Sequence, residues 1–170
     1  MSTVTLQPKL FKTGVALSEE ARIQMVDLLN SILADACDLH SHLRHSHWNL
    51  KGPMFLFLHR YLDELSNRVL KNTDVLAERI ATLGGIANGT VRQIATASSL
   101  PQYDLDAVSG PDHLRALARR MHLLASRLRL LVEVAAHSGD VVSADLGTEL
   151  LRSLEHELWT IEAQLYLAGN

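Results

Sequence analysis

The sequence has a single cysteine, few aromatic residues and no long apolar run. Cys37 has no second cysteine in the chain, so an intrachain disulfide is excluded and a reducing compartment is favoured. Aromatic residues make up 5% of the chain and hydrophobic residues 47%, a mixture that favours helices over strands. No stretch approaches the roughly 18 apolar residues of a membrane span, and residues 1–14 lack the apolar run of a signal peptide. We therefore expect a cytoplasmic, all-α protein without a membrane partner.

An excess of positive charge is also missing. The 170 residues carry a net charge of −3, so the field of the whole molecule does not draw it to nucleic acid. The length suits one domain with a sizeable core. Any contact with DNA must therefore depend on local features.

Helical periodicity is present in four long segments. The predicted helices cover about residues 18–49, 54–83, 111–137 and 143–167, and a short helix is expected within 87–97. Ser18 can cap the first helix, Gly52 and Pro53 end it, and Pro111 opens the third. Short links and one long crossover between the second and third long helices are typical of a ferritin-like four-helix bundle. We predict an extended or flexible N-terminal tail at residues 1–17 and one bundle domain at 18–170.

The second helix carries two different faces. Its apolar stripe should pack into its own bundle and comprises Phe55, Leu58, Leu62, Leu65, Val69, Leu76, Ile80 and Leu83. The pairs His59/Asp63 and Asp74/Glu78 repeat an i,i+4 spacing and fall on another arc, within about 100° of one another. Leu56 and Leu70 lie on the same arc, which suggests that it meets another subunit.

Distance decides how the two pairs can be used. Their midpoints are 15 residues apart, or about 22 Å along a helix, whereas metal–ligand bonds measure only about 2 Å. Two copies packed antiparallel about a two-fold axis would bring each His59/Asp63 to the other copy's Asp74/Glu78. His47, just before the turn, can fold back as a further ligand. This set of nitrogen and oxygen donors suits Fe(II), Mn(II) or Zn(II). Geometry alone leaves an ordinary polar surface equally open.

A longer pattern resembles a known family. Residues 47–55 read HWNLKGPMF; they are followed by Leu58-His59, Leu62-Asp63, DVLAER at 74–79 and LGG at 83–85. This pattern is similar to that of the Dps family, the DNA-binding proteins from starved cells, and the resemblance extends over about residues 18–166. No glutamate is followed three residues later by histidine, which disfavours full-size ferritins with their Glu-x-x-His sites.

The resemblance implies a function and an assembly. Family members form twelve-subunit cages, oxidise Fe(II), preferentially with hydrogen peroxide, and store a ferric mineral that keeps iron from damaging DNA. Their ferroxidase site lies between two subunits. By motif match the catalytic and metal-binding residues here are His47, His59 and Asp63 of one subunit with Asp74 and Glu78 of its neighbour. Iron is the expected metal, and Zn or Mn would suit the same ligands.

Several further residues have two interpretations each. Trp48 and Trp159 are expected near the site, either as core packing, which we favour, or as quenchers of radicals. Acidic residues near the start of the fourth long helix either line an iron-entry pore or compensate the helix dipole; they are Asp140, Asp145 and Glu149. His42 and His45 form either a second metal site or a half-exposed pair, the latter favoured, and His40 is expected to be packed.

DNA binding is the weakest inference. Lys9 and Lys12 precede the first acidic residue, Glu19, and two positive charges in each tail of a cage would give weak, salt-sensitive contact. A nucleoid-binding protein whose metal site is structural or incidental is therefore the alternative function. A helical oligomer that binds zinc without turnover is a third.

Overall fold

The computed structural model describes residues 10–166 and is built from helices. These are α1 (Glu19–Asn49), α2 (Phe55–Thr82), α3 (Val91–Ala97), α4 (Gly110–His137) and α5 (Val141–Leu165). Within this range no strand forms, and Lys51 and Ser109 make one isolated bridge. No helix in the described range is long and apolar enough to cross a membrane. The predicted all-α class is confirmed, with four long helices and one short helix in the crossover.

Local capping decides where the helices begin. The Ser18 hydroxyl accepts a hydrogen bond from the Ala21 N–H, so α1 starts at Glu19. Ser109 and Asp112 form a reciprocal capping box, and α4 therefore begins at Gly110, one residue before the predicted start. The α5 helix begins two residues before the predicted start because the Asp140 side chain accepts from the Ser143 N–H at 3.0 Å.

The four long helices share one hydrophobic core. The α1 helix packs against α2 and α4, and α5 packs against α4 and α2. The predicted stripe of α2 lies in this core, with every member buried except the first. Phe55 is exposed and stacks instead on the His59 ring, with centroids 5.0 Å apart. Burial of one stripe of α2 leaves its other face free for different contacts.

The long crossover is anchored by a buried carboxylate. Asp35 of α1 is fully buried and accepts hydrogen bonds from the Ser99 N–H at 2.6 Å and from the Ser99 hydroxyl. Arg127 of α4 brings its Nε to within 3.6 Å of the same carboxylate. These contacts offset the cost of burying the charge and hold the end of α3 against α1.

The described part of the predicted tail forms neither helix nor strand and is attached to the bundle. The Phe11 N–H donates to the Gly84 carbonyl at 2.7 Å, and the Thr13 hydroxyl donates to the Thr82 carbonyl at 3.0 Å. Leu10, Val15 and Leu17 pack against the core. Residues 10–17 therefore cover the C-terminal end of α2.

Candidate metal centre

Two histidines meet where α1 ends and α2 begins. The rings of His47 and His59 are stacked, with centroids 3.8 Å apart. The Nδ1 atom of His47 lies 2.8 Å from the His59 carbonyl oxygen, and that of His59 lies 2.9 Å from the His47 carbonyl oxygen. Because a carbonyl only accepts, each Nδ1 must carry the proton. In the neutral form of such a ring Nε2 carries a lone pair, and this is the form in which histidine binds metals.

Asp63 lies one turn after His59 and completes the predicted cluster. Its Oδ1 atom is 4.0 Å from the Nε2 of His47, and its side chain is partly exposed. His47 and His59 are thus in contact and Asp63 lies beside His47, while the role of the three as metal ligands stays a prediction. Together they offer two imidazole nitrogens and one carboxylate.

Arg44 contacts this cluster and was missed by the sequence analysis. Its guanidinium forms an ion pair with Oδ1 of Asp63 and lies over the Trp48 ring, 5.2 Å from the centroid. Arg44 is three residues before His47, so helical spacing places the two on one face of α1. That three-residue spacing is the sequence feature from which a role for Arg44 near His47 could have been predicted.

Asp74 and Glu78 lie elsewhere on α2. Both side chains are exposed, and neither makes a hydrogen bond or ion pair with another residue of the range 10–166. Since α2 is one continuous helix, about 22 Å separates them from the His59/Asp63 pair. No group of three or more His, Cys, Asp or Glu side chains that could hold a metal occurs in the described part of one chain. Within residues 10–166 of one chain, the predicted ligands therefore form no complete metal site.

The face that carries these halves also exposes large apolar side chains. Leu56 is 69% exposed and Leu70 is 50% exposed. Large apolar side chains exposed on one helix face favour a contact with another molecule. The expectation that this arc meets a second subunit stays a prediction, which this exposure favours.

The two tryptophans are not core residues in the chain. Trp48 is 67% exposed and Trp159 is 62% exposed, so the favoured prediction of core packing is wrong within one subunit. Both lie on outward faces of their helices, where sequence periodicity alone does not separate an interface from a core. Trp48 is stacked under Arg44, and the Trp159 ring is 5.5 Å from that of His156.

The three acidic residues predicted near the start of α5 have different environments in the structure. Asp140 is only 3% exposed, caps α5 and accepts a hydrogen bond from Arg79 at 2.6 Å. Burial opposes its ionisation, but the bonds from Arg79 and Ser143 outweigh it and hold the pKa of Asp140 below its ordinary value. Asp145 and Glu149 are exposed on the first turns of α5. Asp140 is thus a structural residue in the chain, and only the other two present free carboxylates.

The remaining candidates have mixed outcomes. His42 is buried rather than half-exposed, its Nε2 is 3.3 Å from Asp38, and burial lowers its pKa. His45 is half-buried, and both rings lie about 5 Å from that of Tyr103. His40 is half-buried. Lys12 is exposed, whereas Lys9 lies outside the described residues.

Comparison with known proteins identifies the family of the chain. The family model described as the Ferritin-like domain matches residues 26–168. The DNA protection during starvation protein of Agrobacterium fabrum is 34% identical over 157 residues, which cover 92% of this chain and 97% of that protein. The protein of the same name from Mycolicibacterium smegmatis is 33% identical over 154 residues, or 91% of this chain and 84% of that protein.

Solved structures show the same similarity. The tetragonal form of Mycobacterium smegmatis Dps aligns with a TM-score of 0.87 at 32% identity, covering 92% of this chain and 94% of that one. The Dps protein of Vibrio cholerae O1, described as a member of a broad superfamily of ferritin-like diiron-carboxylate proteins, aligns with a TM-score of 0.86 at 25% identity, covering 92% and 99%. The resemblance inferred from the motif is confirmed: the chain belongs to the Dps family of ferritin-like proteins.

Proposed function

We propose that the protein is a ferroxidase that oxidises Fe(II) at sites shared between two-fold related subunits. Hydrogen peroxide is the proposed oxidant. The proposed assembly is a cytoplasmic cage of twelve subunits that stores the ferric product. Iron is the substrate in this proposal, and Zn(II) or Mn(II) would compete for the same ligands.

The observation that carries the proposal is the exchange of hydrogen bonds between His47 and His59. Each ring donates its Nδ1 proton to a backbone carbonyl, which leaves Nε2 as the possible metal-binding atom, and the Nε2 of His47 lies 4.0 Å from the Asp63 carboxylate. Such bonds from the second nitrogen orient metal-binding histidines and raise their basicity. One such bond also occurs at the exposed His137, so the reciprocal pair of bonds and the stacking of the two rings support the proposal rather than a single bond.

The exposed pair Asp74/Glu78 supports sharing between subunits. One chain cannot bring it to His59 and Asp63 because the helix between them is too long. An antiparallel copy of α2 would supply both carboxylates to each half, and the exposed Leu56 and Leu70 would be covered in the same contact.

The ligand charges favour oxidation. Three carboxylates and two neutral imidazoles stabilise Fe(III) more than Fe(II), because the attraction grows with the charge of the ion. Each peroxide accepts one electron from each of two Fe(II) ions and, with two protons, leaves as water. Removal of both reactants prevents the formation of hydroxyl radicals near DNA. In this scheme Trp48, beside His47, is placed to quench radicals that escape the site.

Entry of iron is assigned to the start of α5. Asp145 and Glu149 are exposed one turn apart, and three copies around a three-fold axis would attract cations. Asp140 is excluded from this role because Arg79 and the helix N-terminus already use its carboxylate.

Direct DNA binding has less support. The DNA protection named for the relatives does not require contact, since removal of iron and peroxide also protects. Lys12 is exposed and would add one positive charge per subunit, which gives only weak and salt-sensitive avidity. Nucleoid binding with an incidental metal site therefore remains the alternative.

Oxidation kinetics test the proposal. Fe(II) and peroxide are added to the assembled protein, and ferric absorbance is followed with time. We expect rapid oxidation by the wild type and a loss of at least about 100-fold in Asp63→Ala and in Glu78→Ala, because each removes an anionic ligand. Asp145→Asn, with intact ligands, should keep the rate at saturating iron. Tight metal binding without turnover in the wild type would instead favour the structural or zinc-binding alternatives.

A further inference from the structure

The strongest feature outside the predicted ligand set is the position of Arg44. Its guanidinium bonds Oδ1 of Asp63, the same oxygen that lies 4.0 Å from Nε2 of His47. The ion pair is partly buried, and Arg44 is the more buried partner. The cation thus occupies a position at the carboxylate oxygen that a metal bound by Asp63 and His47 would need.

A metal and this guanidinium cannot share the position. A metal bound to Oδ1 and Nε2 would be about 2 Å from each atom, and a divalent ion so close to a guanidinium is strongly repelled. Arg44 has a second contact available, because its guanidinium already lies over the Trp48 ring. Cation–π attraction can retain the side chain there after it leaves Asp63.

We infer that Arg44 acts as a latch, meaning a cation that a metal must displace, on the metal half-site formed by His47, His59 and Asp63. It neutralises and orders Asp63 when metal is absent, and an incoming divalent cation must displace it towards Trp48. This inference rests on the proposed function, since it assumes that metal binds at Asp63. Arg44 is then a positioning residue that sets the metal affinity of the half-site. It also discriminates against monovalent cations, because their attraction to Asp63 is too weak to compensate for the loss of the ion pair.

Zinc binding to the assembled protein tests the latch without any turnover. Calorimetry with Zn²⁺ alone is compared between wild type and Asp63→Ala, and the binding phase lost in the variant defines the site. In Arg44→Gln we expect this phase to tighten by about tenfold, because no charged hydrogen bond has to be broken first. Arg44→Lys keeps the charge, and its Zn²⁺ affinity should lie between those of wild type and Arg44→Gln.

A matched variant controls for the charge itself. Arg60 is an exposed arginine next to His59, and Arg60→Gln removes the same charge without touching Asp63. Its Zn²⁺ affinity should stay within about twofold of wild type because solvent screens exposed charges. Gel filtration of each variant checks that the assembly is intact.

Fluorescence gives a second readout. In a Trp159→Phe background, Zn²⁺ should shift the Trp48 emission, and this shift should be absent in Arg44→Gln. Equal Zn²⁺ affinity in wild type and Arg44→Gln would overturn the latch alone. Absence of any Asp63-dependent phase in both proteins would overturn the proposed function and the latch with it.

Discussion

At the scale of single residues, function depends on which atoms are already in use. The Nδ1 atoms of His47 and His59 are taken by backbone carbonyls, and this leaves Nε2 for a metal. The Oδ1 atom of Asp140 accepts from both Arg79 and Ser143 and the side chain is buried, so this residue serves the fold. Residue type alone predicts a ligand in each case, and only the hydrogen bonds separate the two roles.

Asp140 gives a prediction at this scale. Asp140→Asn should lower the free energy of unfolding at pH 7 by about 3 kcal/mol, because it leaves Arg79 buried without its counter-charge. The folded pKa of Asp140 lies below its ordinary value of 3.8, so its contribution is present above that pH. The difference between the two proteins should therefore shrink as the pH falls below 3.8. Urea unfolding of both proteins across a pH series measures this difference in unfolding free energy.

The exposed Asp145 supplies the control. Asp145→Asn removes the same charge from the same helix, and its stability should stay within about 0.5 kcal/mol of wild type. A constant difference between Asp140→Asn and wild type down to pH 2 would contradict an ionised role for Asp140.

At the scale of elements, α2 organises the molecule. One of its faces enters the core, and the other carries Asp63, Asp74 and Glu78. The end of the helix is secured by Gly84, whose φ of +86° is a left-handed conformation that side chains rarely adopt. Residues 10–17 pack against this end, so the turn also determines the path of the N-terminal segment.

A substitution at Gly84 tests whether this turn needs a glycine to end α2. In Gly84→Ala the added Cβ would lie 2.4 Å from the Phe11 carbonyl oxygen, in addition to the strain of the positive φ. We expect a loss of about 2 kcal/mol of unfolding free energy, measured by thermal or urea unfolding. Gly89→Ala is the matched control, since nothing lies within 4 Å of its Cβ, and it should be near neutral. Equal effects at both glycines would refute the argument.

At the scale of the whole molecule, the proposed site exists only between two chains. A complementation experiment tests this directly with two inactive variants, Asp63→Ala and Glu78→Ala. In a mixed dimer one site has both defects, while the other takes Asp63 from one chain and Glu78 from its partner and is complete. Because random pairing gives half mixed dimers, co-expression should restore about a quarter of the wild-type ferroxidase sites.

The outcome separates the two possible geometries. If all ligands came from one chain, every site in the mixture would keep one defect and co-expression would restore nothing. Mixing the two separately purified cages should also restore nothing, provided that subunits do not exchange. The readout is ferric absorbance per subunit after addition of Fe(II) and peroxide.

Features that depend on local sequence could be predicted, and features that depend on contacts between distant residues could not. The helices and the stripe of α2 could be predicted because a 3.6-residue period and capping residues are local properties. The contact between His47 and His59 could be predicted because His47 lies just before the turn into α2, whereas the role of both residues and of Asp63 as metal ligands stays a prediction. The tryptophans could not, because a large apolar residue on a helix suits a core and an interface equally well. The pairing of Asp140 with Arg79 could not either, since the two are 61 positions apart.

The sequence by itself determined the helical class, the family and the separation of two ligand pairs on one rigid helix. These follow from local periodicity, from a motif within the chain and from the rise of a helix, none of which needs a tertiary contact. Only the tertiary structure decided that the imidazoles of His47 and His59 exchange bonds with each other's backbone, that Arg44 lies on Asp63 and that Asp140 is buried. Those contacts join different helices, and their geometry is set by packing rather than by sequence spacing.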